Sequence, residues 1–318
     1  MAAQQSSKNS EAGTGEVPQG AGALKTKLMA GLGNQLDKLA ASPLAAGLYL
    51  VSTPIGNLAD ISVRALFALA SADMAVCEDT RHSRKLLSAY GISRRLEAYH
   101  DFSSSSDRAR ILAALGAGKS VALLSDAGTP LIADPGFKLV RAAIAEGFRV
   151  FAIPGPSAIL AALVTSGLPP DQFFFGGFLP PKEKARRDEL EAARALPGTL
   201  IFYESGSRLE DTLEALDAVF PDRSIVIARE LTKFYETVLM GRAAQLLGEI
   251  RPNPPAGEFV ILIGPGGARP ATETDIERAL KSAMQRMSLK EAVEEVAKGL
   301  GAGRKMVYNL ALRLREQR

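Results

Sequence analysis

The sequence predicts an α/β protein with two consecutive α/β domains and a small C-terminal helical module. Three observations carry that prediction. At 318 residues and 47% apolar composition, the chain is long enough for two ordinary domains with cores of their own. From Gly47 onward, short apolar runs alternate with amphipathic stretches, the pattern of α/β units around a largely parallel sheet. Gly167-Leu168-Pro169-Pro170 and Phe178-Leu179-Pro180-Pro181 then break the alternation, which places a boundary at 168–171. The expected division is 1–46, 47–168, 169–267 and 268–318.

Residues 1–46 read as a disordered tail. Ala, Gly, Ser and Gln supply 25 of the first 47 positions, and the first aromatic residue is Tyr49. Such a segment buries too little apolar surface to offset its ordering entropy, so at most a weak helix is expected over 24–44. In the first domain, strands are expected at 48–52, 74–77, 120–125 and 149–153. Helices are expected at 63–70, 85–90, 107–115, 137–146 and 157–164. In the second, strands fall at 199–203, 224–228, 236–240 and 259–263, with helices at 184–193, 209–219 and 243–249. The strands at 224–228 and 236–240 lie too close in sequence for a helical crossover, so this sheet should be mixed. Helices at 275–287, 289–300 and 304–314 form the coda.

Composition excludes several classes. One cysteine, Cys77, and two histidines, His82 and His100, leave neither a disulfide framework nor a thiolate or three-histidine metal site, so no metal is expected. No apolar run approaches membrane-spanning length, and no arginine precedes Arg64, which disfavours targeting signals; a cytoplasmic protein with no membrane partner is expected. The formal charge of +3 implies no polyanion partner by itself, but residues 286–318 carry eight Lys/Arg against four Asp/Glu. Aromatics at 6% and no Trp argue against a single-strand binder built from stacking platforms.

Gly116-Ala117-Gly118-Lys119-Ser120 looks like the end of a phosphate-binding loop but leads into a strand, so it reads as a helix-to-strand turn. Three other loops follow strands and combine stiffening prolines with permissive glycines: residues 52–58, 125–136 and 153–158. Together, at the carboxyl ends of strands, they outline a binding crevice. Glu78-Asp79-Thr80-Arg81-His82 is a fourth cluster; it reads either as substrate-handling groups or as a strand end with Asp79 or Thr80 capping the next helix. Arg229-Glu230-Leu231-Thr232-Lys233 holds the corresponding place in the second domain, and His100-Asp101 is a weaker candidate.

Taken in order, the strings TPIGNL (53–58), EDTRH (78–82), SDAGTPLIADPG (125–136), PGP (154–156), GFLP (177–180), IFYES (201–205) and ARELTK (228–233) resemble the tetrapyrrole methylase superfamily. More closely, they resemble its ribosomal RNA small subunit methyltransferase I family. The likeness runs from about Gly47 to Leu314. It implies two α/β domains with S-adenosyl-L-methionine (AdoMet) in the cleft between them, a homodimer, and 2′-O-methylation of a cytidine in the decoding region of 16S rRNA within the small ribosomal subunit. By motif, Pro54, Gly56, Asp126, Ala127, Gly128, Thr129, Ile132, Ser157, Ala158, Glu204 and Leu231 would contact the cofactor.

A ribose hydroxyl is a poor nucleophile, and Glu78, Asp79, His82 and Lys233 are candidates to take its proton or orient it. Arg81 would grip a phosphate through both arms of its fork. RNA affinity must come from charge, and two basic places offer it: Lys182, Lys184, Arg186 and Arg187 after the GFLPP linker, and Arg304 and Lys305 in a helix-turn-helix-like coda. The bland readings are a solvated helix face for the first and a dimer or domain brace for the second. A corrin or sirohaem C-methyltransferase and a non-catalytic AdoMet- or RNA-binding protein stand as alternatives.

Overall fold

The computed structural model describes residues 21–100, 105–266, 273–300 and 302–316. Residues 1–20 of the expected tail, Asp101 and Gly301 lie outside them. The first compact unit takes Asp60–Gly155 with the chain up to Thr53, and the second takes Pro54–Ala59 with the chain from Pro156.

The first unit runs α1 (Ala21–Ala40), β1 (Gly47–Val51), α2 (Val63–Ser71), β2 (Met74–Cys77), α3 (Thr80–Ala89), β3 (Glu97–Ala98), α4 (Ser105–Gly116), β4 (Ser120–Leu124), α5 (Phe137–Ala145) and β5 (Val150–Ile153). Its strands form one parallel sheet in the order β3-β2-β4-β1-β5. Both faces are covered, so the strands read as unbroken apolar runs. Tyr49, Val51, Ala75, Cys77, Ala122 and Leu124 pack under α2 and α3, whereas Leu48, Val76, Val121 and Leu123 pack under α4 and α5. The connections leaving β1 and β4 therefore run to opposite faces although the two strands are neighbours. That arrangement opens a crevice at their carboxyl ends. The Gly116–Ser120 stretch is the α4-to-β4 turn, as its sequence context predicts.

Helix α1 is the weak helix expected over 24–44, lying at 21–40 within the segment otherwise read as disordered. Its Ala, Leu, Lys, Gln and Met residues are good helix formers, and they outweigh Gly22, Gly31 and Gly33 where the segment meets α2. Most of α1 remains exposed, including Leu24, Leu28 and Met29.

The second unit contains α6 (Ala158–Thr165), β6 (Phe173–Phe178), α7 (Glu183–Ala193), β7 (Thr199–Ser205), α8 (Leu209–Val219), β8 (Ile225–Arg229), β9 (Thr237–Gly241), α9 (Ala243–Ile250) and β10 (Glu258–Ile263). The sheet order is β6-β7-β10-β8-β9, with β6 parallel to β7 and the other pairs antiparallel, the mixed sheet expected from the short β8–β9 link. Successive residues of β7 face opposite ways. Leu200 and Phe202 meet α7, α8 and α9, while Ile201 meets Ile159, Ala162 and Leu163 of α6. Helix α6 thus belongs to the second sheet, and the first unit closes at Gly155, earlier than the Pro-rich break at 168–171 suggests. That break instead precedes β6, an edge strand unrecognised in FFFGGF because its paired glycines read as a linker; a register shift between Phe175 and Phe178 absorbs them.

Three further helices, α10 (Glu273–Ala283), α11 (Leu289–Gly299) and α12 (Arg304–Glu316), enclose a core of their own made by Ile276, Leu280, Val293, Val296, Val307 and Leu310. Ser288 and Glu291 form a capping box that starts α11. No helix among the described residues is long and apolar enough to cross a membrane.

Candidate functional site

In the first unit, the chain leaves β1, β2, β4 and β5 into loops that are tied to one another. Thr53 and Gly128 exchange backbone hydrogen bonds (Thr53 N to Gly128 O 2.9 Å, Gly128 N to Thr53 O 3.1 Å). Thr53 Oγ1 donates to Ser125 O at 2.9 Å, and Ser52 Oγ donates to Thr129 Oγ1 at 3.2 Å. Ser125 Oγ pairs with Asp134 and accepts from Ala127 N at 3.2 Å. Ser52, Thr53 and Ser125 are all buried, so their polar groups are satisfied inside the loop cluster. Gly155 lies so close to Ser52 that an added Cβ would come within 2.8 Å of the serine Cβ.

The 125–136 loop is held in unusual backbone geometry. Gly128 (φ +80°) and Gly136 (φ +126°) use the freedom of glycine, but Leu131 (φ +74°) and Ala133 (φ +58°) adopt left-handed backbone without it. Among the described residues only two other non-glycines do so, Glu230 (φ +52°) and Thr232 (φ +66°) in the loop after β8. All four fall in the two motif loops.

The EDTRH cluster begins where β2 ends. The Asp79 carboxylate caps α3, accepting from Arg81 N at 2.7 Å and His82 N at 3.4 Å. Its oxygens also take Arg81 Nε at 3.3 Å and an Arg81 terminal nitrogen at 3.1 Å. Arg81 beside it, then these backbone donors, hold the carboxyl well below its ordinary range, at about 2. The capping reading therefore accounts for Asp79, and a carboxylate so acidic is a poor proton acceptor. The Arg81 fork is likewise turned onto Asp79, so the two-armed phosphate grip expected of it would have to break this pair, although the side chain is 85% exposed. Asp79 N in turn donates to Asp126 Oδ1 at 3.3 Å, which brings the second and fourth strand ends together.

Because the folded Asp79 carboxyl lies below its unfolded value of 3.8, its contribution to stability is complete above about pH 4 and lost as pH falls through about 2. Arg81→Ala is expected to move the Asp79 midpoint up toward 3.8, read by carbon-detected NMR titration. An unmoved midpoint would show that the backbone donors alone hold it.

In the second unit, Pro54–Ala59 joins the ARELTK loop. A Cβ on Gly56 would lie 2.5 Å from Lys233 Cγ and 3.2 Å from Leu231 O, so a larger residue would push the Lys233 side chain aside. Lys233 Nζ pairs with Glu230 Oε1 at 3.0 Å, Thr232 N donates to Glu236 at 2.6 Å, and Leu231 is buried beside Ile55 against the sheet. Gly56, Leu231 and Lys233 are thus assembled in one place. The Ser157 hydroxyl caps α6 through Leu160 N at 3.4 Å, and Ala158 opens that helix, so a ligand at this turn would meet backbone.

Two expected roles change. Glu204 is fully buried: Oε1 accepts from Ser205 N at 2.9 Å, while Oε2 accepts from Thr212 Oγ1 at 2.7 Å and pairs with Arg208 at 3.3 Å. Its carboxylate braces the β7–α8 turn and leaves no accessible oxygen for a cofactor. Arg186 is also buried, on the inner side of α7 and 3.5 Å from Asp211 of α8, so it offers nothing to RNA. Lys182 and Lys184 remain exposed, and Arg187 is paired with Glu183 at 3.2 Å. Arg304 and Lys305 are exposed at the start of α12. The composition argument against aromatic platforms overlooked Phe234 and Tyr235, which are 92% and 73% exposed immediately after Lys233. Two adjacent aromatics directly after the ARELTK string were the available signal.

The chain matches the family model described as tetrapyrrole (corrin/porphyrin) methylases over residues 47–247 and that of the RsmI C-terminal HTH domain over 270–315. It is similar to ribosomal RNA small subunit methyltransferase I of Mesorhizobium japonicum, at 48% identity over 88% of this chain and 96% of that protein. The Escherichia coli O157:H7 protein of the same name is 45% identical over 83% of this chain and 94% of the relative. Among solved structures, diphthine synthase aligns with a TM-score of 0.54 at 19% identity (68% of this chain, 89% of that one). The methyltransferase CobJ aligns with 0.52 at 21% identity (70% and 95%). These two likenesses concern the fold. With both family models matched and identity near one half along most of its length, the chain belongs to the tetrapyrrole methylases and, within them, to the ribosomal RNA small subunit methyltransferase I family.

Proposed function

We propose that this chain uses AdoMet to methylate the ribose 2′-oxygen of a cytidine in the decoding region of 16S rRNA. It acts on the small ribosomal subunit, in the cytoplasm and as a homodimer. The observation that carries the reading is near-full-length similarity, at 48% identity, to a ribosomal RNA small subunit methyltransferase I. The geometry agrees with it. The 127–132 loop at the β1 and β4 ends is held in place by Thr53 and Ser52, so residues Ala127, Gly128, Thr129 and Ile132 form a fixed rim against which a nucleoside cofactor can lie.

When bound, AdoMet supplies a methyl already activated on a sulfonium, so the protein's task is alignment of the acceptor and relief of its proton. Lys233, steadied by Glu230, is suited to hold the acceptor oxygen or a neighbouring phosphate. Glu78 is the carboxylate of the EDTRH cluster assigned to the proton, with Asp79 acting through α3 and Arg81 as a positioning residue.

The test is transfer of labelled methyl to purified small subunits lacking the modification, with naked 16S rRNA and uroporphyrinogen run alongside and the product mapped by nuclease digestion. Label in a 2′-O-methylcytidine of the subunit rRNA is expected. Label confined to the tetrapyrrole, or absent from every acceptor, would overturn the proposal.

A further inference from the structure

The three C-terminal helices contain an open groove of about 460 Å³ lined by Lys290 and Val293 of α11 and by Arg304, Lys305 and Tyr308 of α12. Its volume suits a single nucleotide. Its floor is the buried Val293, one wall is the half-exposed ring of Tyr308, and three cationic side chains surround the opening.

The charges in this module are sorted. Arg286 pairs with Glu295 at 3.6 Å and Arg313 with Glu273 at 3.3 Å, on other parts of its surface. Lys290, Arg304 and Lys305 have no carboxylate partner among the described residues, although Glu291, Glu294 and Glu295 lie on the same helix as Lys290. All three also sit in the first turn of a helix, where a positive charge is disfavoured, Lys290 in α11 and the other two in α12. Arg304 and Lys305 are the first residues of α12, whose first turn contains no acidic residue, so their charges add to the positive end of the helix dipole. Helix α11, by contrast, begins with an acidic residue in its first turn. The arrangement is locally unfavourable until an anion enters the groove.

We propose that this groove seats one unpaired nucleotide of the RNA substrate, with the base against Tyr308 and Val293 and the flanking phosphates on Lys290, Arg304 and Lys305. Single-stranded RNA fits better than duplex, because a stacked, paired base cannot reach Tyr308 at the groove wall. This deepens the methyltransferase reading by naming the RNA element that the C-terminal helices hold, and it rests on that reading only for the identity of the RNA.

The experiment uses the full chain and a fluorescent oligocytidylate of about ten nucleotides. Lys290→Ala, Arg304→Ala and Lys305→Ala combined are expected to weaken binding at least tenfold and to lower the slope of log K against log salt by about 2, at about 0.7 per lost phosphate contact. Tyr308→Ala is expected to weaken binding about tenfold and Tyr308→Phe to leave it unchanged, since stacking needs only the ring. Arg304→Glu is expected to abolish binding while the thermal midpoint stays equal or rises, because it relieves the helix end. A wild-type salt slope in the triple variant, equal binding of a duplex of the same length, or a lowered midpoint in Arg304→Glu would each overturn the seat. In parallel, methylation of small subunits by the triple variant should show a raised KM with kcat and AdoMet affinity retained. Subunit methylation with an unchanged KM would remove the groove and leave the enzyme assignment standing. Oligonucleotide binding as expected, from a protein that methylates no subunit, would do the reverse.

Discussion

Glu204→Ala is expected to destabilise the second unit by about 3 kcal/mol, the lower end of the cost of breaking a buried ion pair. The lower end applies because Arg208 keeps 27% of its side chain exposed and can turn to water, whereas Thr212, itself fully buried, cannot. Thr212 Oγ1 and Ser205 N would both lose their acceptor at the start of α8. For a unit of this size the midpoint should fall by about 6–12 °C. Glu204→Gln keeps an acceptor for Thr212 but loses the charge and turns an NH2 toward Ser205 N–H, so it should cost less than alanine while remaining destabilising. Circular dichroism during urea or thermal unfolding reads both, since the chain has no Trp. Below the transition, AdoMet affinity of Glu204→Gln should match the wild type. A selective loss of affinity without loss of stability would return Glu204 to the cofactor.

The second large effect is expected at Gly128. Its φ of +80° suits glycine, and both its N–H and its carbonyl are bound to Thr53. A left-handed backbone costs an ordinary residue about 1–2 kcal/mol, and a β-branched one more. Gly128→Val must therefore either hold that strain or give up both hydrogen bonds and let the 125–136 loop swing away from β1. Either route should weaken AdoMet binding by at least tenfold, with Gly128→Ala intermediate, as measured by calorimetry. Overall fold and the thermal midpoint of the second unit should be unaffected. The opposite substitution makes a control: Ala133→Gly, at an exposed position with φ +58°, removes strain and should leave affinity equal or improved. Wild-type affinity in Gly128→Val would mean that the loop conformation has no part in cofactor binding.

Much of this architecture was legible because each central strand is a short apolar run closed by turn residues, and because helices and strands alternate. The gathering of the motif loops was legible for the same reason: loops that follow neighbouring parallel strands leave from the same end of the sheet, where Thr53, Ser125 and Gly128 bond to one another. What was missed has physical causes. Arg186 reads as solvated among Lys182, Glu183, Lys184 and Asp188, but its helical phase matches Leu190 and Ala193, which are buried with it. Spacing of four and seven residues was the available clue, and charge obscured it. Glu204 lies on a strand whose alternation puts it among buried residues, yet the pairing that makes a buried carboxylate tolerable comes from Thr212 and Arg208 in the next turn. β6 was missed because paired glycines and nearby prolines signal a break, and only parallel pairing with β7 turns FFFGGF into a strand. Phe234 and Tyr235 were discounted because an average over composition says nothing about where two rings stand.

The Pro54–Ala59 segment has a consequence for how the protein is made. It leaves the first sheet directly after β1, yet Ile55 and Gly56 find their places against Leu231 and Lys233, some 175 residues further along the chain. The polypeptide therefore crosses from one unit to the other three times, at Thr53, Ala59 and Gly155. During synthesis, this hexapeptide emerges and waits at about 5–20 residues per second, on the order of ten seconds or more, before β8 and its loop exist to receive it. Cutting at residue 155 consequently yields two incomplete pieces: a first unit with a dangling stitch and a second whose Lys233 loop lacks its lining. A pair of fragments split there should associate through this segment, which the first fragment carries and the second receives.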